Sequence, residues 1–111
     1  MLFTYVVFTN PTTPEDEDEF NRWYDDQHIP DLLRILGIES AQRFRLTEQQ
    51  RGAGPYPYKY LCLYHCDATE PNVITNAIQE RYNTAEMPIS ETLHADRWAN
   101  YFEPLSDLRE S

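Results

Sequence analysis

Residues 20–31, Phe-Asn-Arg-Trp-Tyr-Asp-Asp-Gln-His-Ile-Pro-Asp, hold the densest set of side chains able to do chemistry. At helical spacing Phe20, Trp23, Tyr24, Gln27 and His28 share one face. Asp25 and Asp31 stand three residues to either side of His28. An imidazole titrates near neutral pH, so it accepts and donates protons, and a neighbouring carboxylate fixes its tautomer and raises its basicity. Trp23 and Tyr24 offer an apolar or stacking wall for a flat ligand. The same pattern has a structural reading, in which His28 bonds the carbonyls of a helix's last turn and the aromatics are core.

Arg43 is the second candidate, because it sits on a strand otherwise suited to burial. A buried guanidinium needs a partner. A substrate carboxylate or enolate oxygen would serve through paired hydrogen bonds, and so would Asp25, Asp31 or Glu39 in a structural ion pair. Trp98, Asn100, Tyr101 and Tyr5 are candidates to line a pocket, with core or interface packing as the alternative. His65 and His94 stand alone at strand ends. Cys62, His65 and Cys66 spell a ligand trio, but on a strand His65 faces away from both cysteines, so no metal site is expected. Residues 51–55 lack the helix start and Lys of a phosphate loop, and the acids of Glu15–Glu19 lack calcium-loop spacing.

The elements that must position these groups follow from the pattern. Met1–Thr9 is β-branched and aromatic, a first strand ended by Asn10-Pro11. Thr13 is a helix cap with Pro14 at the first helical position, and Pro30 should end or kink that helix near His28. A second strand covers Ile38–Leu46, with Ile38, Ser40, Gln42, Phe44 and Leu46 on one face and Glu39, Ala41, Arg43 and Arg45 on the other. Thr47–Pro57 is a long loop, and Tyr58–Cys66 a third strand, apolar on both faces. Glu70-Pro71 opens a second helix with Val73, Ile74, Ala77, Ile78 and Tyr82 inward. Thr84–Thr92 is irregular, and His94–Phe102 is a fourth strand.

This order, β-α-β-β-α-β, is ferredoxin-like: an α+β fold with a four-stranded antiparallel sheet in one domain, residues 1–111. Right-handed crossovers put both helices on one face. The two-sided apolar third strand then needs a cover on the other face, and a second copy of the chain is the simplest one, giving a homodimer.

Charge and composition narrow the classes. The 111 residues carry 19 acids against 9 bases, a net charge of −10. Residues 15–31 alone hold eight acids and a single base, Arg22, so most of the acidity is one solvated helix face. Such a chain has no footprint for phosphate backbones and is disfavoured at anionic membrane surfaces. Met1–Thr9 has no basic leader and is expected to be a strand, not a signal peptide. Cys62 and Cys66 lie about 13 Å apart on a strand, too far for a disulfide. A cytoplasmic location is therefore expected.

Residues 3–46 resemble the dimeric α/β-barrel superfamily, most nearly its small EthD-like proteins. The resemblance rests on W-Y-D-x-x-H-x-P-D at 23–31 and G-x-x-S-A-x-R at 37–43. It implies a dimeric α/β barrel with the ligand cleft between sheet and helices, faced by the histidine of H-x-P, here His28. The superfamily spans isomerases, cyclases, decarboxylases and cofactor-free monooxygenases, most without metal or organic cofactor. The expectation is therefore a cofactor-independent enzyme, lyase or isomerase in type, acting on a small aromatic or cyclic oxygenated molecule. In it His28 is catalytic, and Trp23, Tyr24, Asp31, Arg43, Tyr5 and Trp98 bind substrate. A cofactor-free monooxygenase and a non-catalytic binding module are the alternatives.

Overall fold

Strand β1 (Leu2–Thr9) forms where the β-branched and aromatic run lies, and it takes the centre of the sheet. The computed structural model describes residues 1–111. After β1 come a 3-10 turn (Pro14–Asp16), α1 (Glu17–Trp23), a π-helical turn (Tyr24–His28) and α2 (Ile29–Leu33). The chain continues through β2 (Ile38–Arg45), β3 (Tyr60–Asp67), α3 (Pro71–Arg81) and β4 (Trp98–Phe102). The strands lie in the order β2-β3-β1-β4, each neighbouring pair antiparallel. This is the expected ferredoxin-like arrangement.

Alternation along the strands sorts the side chains. Phe3, Val7 and Thr9 of β1 and Tyr60, Cys62, Tyr64 and Cys66 of β3 are buried on one face. Phe20, Tyr24, Leu32 and Ile35 from the first helical layer, and Ile74 from α3, close over them. Both thiols sit in this core, where burial pushes each up to about 11. His65, on the opposite face, is exposed and pairs with the Thr4 hydroxyl at 3.4 Å. No helix is long and apolar enough to cross a membrane.

The other sheet face has no cover in the single chain. The molecule is only 20 Å along its shortest axis, the depth of one sheet and one helical layer. Leu2, Phe44, Trp98 and Phe102 are exposed there, beside half-buried Leu61 and Leu63. Phe8 contacts Trp98 edge-on at 5.6 Å, and Trp98 lies 6.0 Å from Phe102.

Several expectations are corrected. The first helix does not end at His28: Ile29 stays helical, and its N–H bonds the Tyr24 carbonyl five residues back. Proline lacks an N–H, and its ring crowds the carbonyl four residues earlier. The widened π turn absorbs both faults, so Pro30 enters α2 without breaking the rod. Thr13 donates to the Asp16 carboxylate at 3.0 Å instead of capping backbone. In β2 the ladder slips between Ile38 and Ser40. That bulge moves Ile38 to the helix-facing side with Ala41 and Arg43, across from the face expected of it. Tyr58 precedes β3 and packs on the outer-face ring of Phe8 at 5.9 Å. Val73 faces solvent, and β4 begins only at Trp98.

Candidate functional site

The π turn fixes the geometry around His28. In an α-helix Trp23 and His28, five apart, would stand at opposite edges of the shared stripe; one extra residue in the turn brings them over each other. The His28 ring consequently stacks on Trp23 at 4.7 Å and meets Tyr24 edge-on at 5.0 Å. Trp23 is itself held by its indole N–H, which donates to the Pro88 carbonyl at 3.1 Å. His28 Nδ1 is buried and bonds no protein group, helix carbonyls included. Burial holds the imidazole down to about 4; the Asp31 carboxylate pulls upward, and Arg97 and Arg43 push further down. The ring is therefore neutral at physiological pH.

His28 lines a cavity of about 570 Å³ between the sheet and the helices. Ten of its fifteen lining residues are hydrophobic, and phenols from every layer reach it: Tyr5, Tyr24, Tyr64, Tyr82 and Tyr101. Tyr5 stacks on Tyr101 at 4.7 Å. Burial, then the neighbouring Tyr101, raises the Tyr5 hydroxyl to about 12. Burial also raises Tyr24, Tyr64 and Tyr101. All four are neutral donors near neutral pH. The Tyr101 hydroxyl pairs with Thr75 Oγ1 at 2.8 Å, and those of Tyr24 and Tyr64 lie 3.4 Å apart.

Of the residues picked out in the sequence, His28, Tyr24, Tyr5 and Tyr101 meet at this cavity, and Trp23, Asp31, Arg43, Trp98 and Asn100 do not line it. Trp23 stands behind His28 as its stacking partner. Asp31 is buried and committed to Gln27 Nε2 at 2.7 Å and Arg34 Nη1 at 2.8 Å. Arg43 is held by Asp25 Oδ1 at 3.0 Å and Asn21 Oδ1 at 2.8 Å, its guanidinium 4.3 Å from the Tyr24 ring centre. That is the structural ion pair, with Asp25 as the acid. Trp98 lies on the outer sheet face, away from the cavity, because the pleat puts it opposite to its neighbours Arg97 and Ala99.

The sequence reading missed Arg97, Thr75 and Gln79 as lining residues and left Tyr64 and Tyr82 in the core. A signal for Arg97 existed. Tyr101, a named candidate, shares strand parity with Ala99 and Arg97, so all three turn to one side.

No protein-family model and no curated protein matches the chain. Solved structures do match it. An ethyl tert-butyl ether D (EthD) family protein from Bacillus halodurans superposes with a TM-score of 0.60 at 18% identity, covering 95% of this chain and all of that one. An EthD-like protein from Ralstonia eutropha gives 0.64 at 15% identity, over 96% and 95% of the two chains. A dimeric ferredoxin-like protein of unknown function from Thermobifida fusca gives 0.50 at 14% identity, over 92% and 90%. With its sheet order, its two crossover helices and these neighbours, the chain has the ferredoxin-like fold of the EthD-like proteins.

Proposed function

We propose that the chain is a cofactor-independent enzyme that binds a small, mostly apolar, aromatic or cyclic oxygenated molecule and moves a proton on it with His28. One observation carries the reading: a neutral imidazole with an unpartnered ring nitrogen lines a roomy, phenol-rich cavity. The alternative, a binding or assembly module without catalysis, expects a filled cleft, His28 bonded only to backbone, and Trp23 and Trp98 packed as core; the open cleft and the unbonded Nδ1 count against it.

The chemistry follows from the charge states. Neutral His28 accepts a proton from carbon beside a carbonyl, and neutral tyrosine hydroxyls donate to the oxygen on which negative charge grows. Tyr5 and Tyr82 are the open donors, since the hydroxyls of Tyr24, Tyr64 and Tyr101 already have side-chain partners. The imidazolium so formed is disfavoured by burial, so it readily returns the proton elsewhere on the substrate. That cycle suits isomerisation, dehydration or cyclisation.

The homodimer belongs to the same proposal. The exposed apolar sheet face around Phe8, Leu61, Leu63 and Trp98 supports a second copy packed sheet to sheet. The Thermobifida fusca neighbour is described as dimeric.

The test is turnover of a panel of cyclic enones, lactones and phenolic ketones in deuterated water without oxygen. Deuterium incorporation or product formation is expected, falling roughly 10²- to 10⁴-fold in His28→Ala. Full activity in that variant would sink the mechanism. Turnover only with consumption of oxygen would replace it with the monooxygenase reading.

A further inference from the structure

The cavity's charge differs from that of the chain around it. The protein carries −10, yet none of the cavity's lining residues is an acid, and its one permanently charged side chain is Arg97. The ion pairs of the fold engage Arg34, Arg43, Lys59 and Arg81, and none engages Arg97. Its sequence neighbour Asp96 is turned away, accepting from the Tyr58 hydroxyl at 3.1 Å. The Arg97 guanidinium carbon instead lies 5.1 Å from the centre of the Tyr82 ring, itself a lining residue. An aromatic face orients the planar group and leaves its edge N–H donors free.

Resting on the small-ligand reading of this cavity, we propose that its ligand is an aryl or cyclic carboxylate, with the carboxylate held by Arg97 and the apolar ring lodged among the tyrosines toward His28. An arginine fork matches a carboxylate with two parallel hydrogen bonds. The absence of acids from the lining leaves that attraction unopposed within the cleft. The chain's net acidity disfavours anions over most of the surface, whereas the cavity joins an unpaired arginine to an apolar, acid-free lining. The same cation acts on His28 and Tyr5, holding both down. A bound carboxylate offsets it, so the ligand makes His28 a better base on arrival.

The probes are 2-naphthoate and 2-naphthamide, which share a shape and differ in charge. Binding is read by calorimetry, and the His28 ring by NMR titration. Wild type is expected to bind naphthoate roughly tenfold or more tighter than naphthamide, with the gap narrowing in high salt. Arg97 is exposed, so Arg97→Met should stay folded. In that variant the preference for naphthoate over naphthamide should be lost. His28 should titrate higher in the naphthoate complex than in the free protein. Equal affinities in wild type, or a preference that survives Arg97→Met, overturns the carboxylate assignment and leaves the cavity as a site for neutral ligands. Failure of both probes to bind wild type overturns the small-ligand reading together with it.

Discussion

Acidifying the protein should expose His28 through stability. In the folded chain the imidazole is held at about 4, against 6.5 for the free side chain, mainly by burial. Between those values the unfolded chain binds a proton that the folded chain refuses. Stability is therefore complete above pH 6.5 and is lost as pH falls toward 4. The full gap corresponds to on the order of 3 kcal/mol, and about 2 kcal/mol by pH 4.5 with the ring only partly shielded. That is a large share of the roughly 5–15 kcal/mol that holds a domain of this size. Urea unfolding at pH 7.5 and 4.5, at fixed protein concentration, measures it. The urea midpoint should drop by about 1 M more in wild type than in His28→Phe, which keeps a ring stacked on Trp23 but cannot titrate. The difference between the two proteins matters, because carboxylates such as Glu17, lowered by its bond to Lys59, also lose stability in acid. Midpoints that fall in parallel, or a His28 ring that titrates near 6.5 by NMR, refute the reasoning. The NMR titration needs no variant.

Three further perturbations test the frame around the site. Arg43→Ala should cost about 2 kcal/mol, because the guanidinium is packed against Tyr24 as well as paired; Asp25→Asn should cost under about 1 kcal/mol, since that partner is exposed. Equal losses in chemical denaturation would show the ion pair, not the packing, to be what matters. Gly37→Ala should cost about 1–3 kcal/mol, because φ is +107° and an added Cβ would sit 3.0 Å from Ile74 Cδ1; an unchanged Tm would contradict it. Leu63→Glu, on the outer face of β3, should give a folded monomer in sedimentation, whereas a wild type that sediments as a monomer would remove the sheet-to-sheet dimer.

The order of elements was readable because each has a local cause. A β-branched and aromatic run made β1 legible, alternation made β2 legible and a continuous apolar run made β3 legible, and the proline starts marked both helical layers. The Trp23–His28 cluster was legible for the same reason, as it lies within one stretch of chain. Pro30 marked an irregularity near His28 but could not say whether the helix ends or continues there. The packing of Phe20, Tyr24 and Leu32 into one core favours a continuous helical run, and the irregularity takes the form of a π turn. The slip in β2 misled, because alternation cannot register an extra residue until a neighbouring strand sets the ladder.

The sequence by itself determined the βαββαβ order, the apolar second face of the sheet and the aromatic–histidine stripe, since spacing of two or 3.6 residues encodes all three. Only the tertiary structure decided which charged group lines the cavity. Arg43 and Arg97 look alike as residues on strand-like segments, each with aromatics nearby in sequence. Folding brings Asp25 and Asn21 to Arg43 and closes its donors. It brings Tyr82 to Arg97 and leaves its donors open. The difference lies in partners from distant parts of the chain, and no periodicity within a strand carries that information.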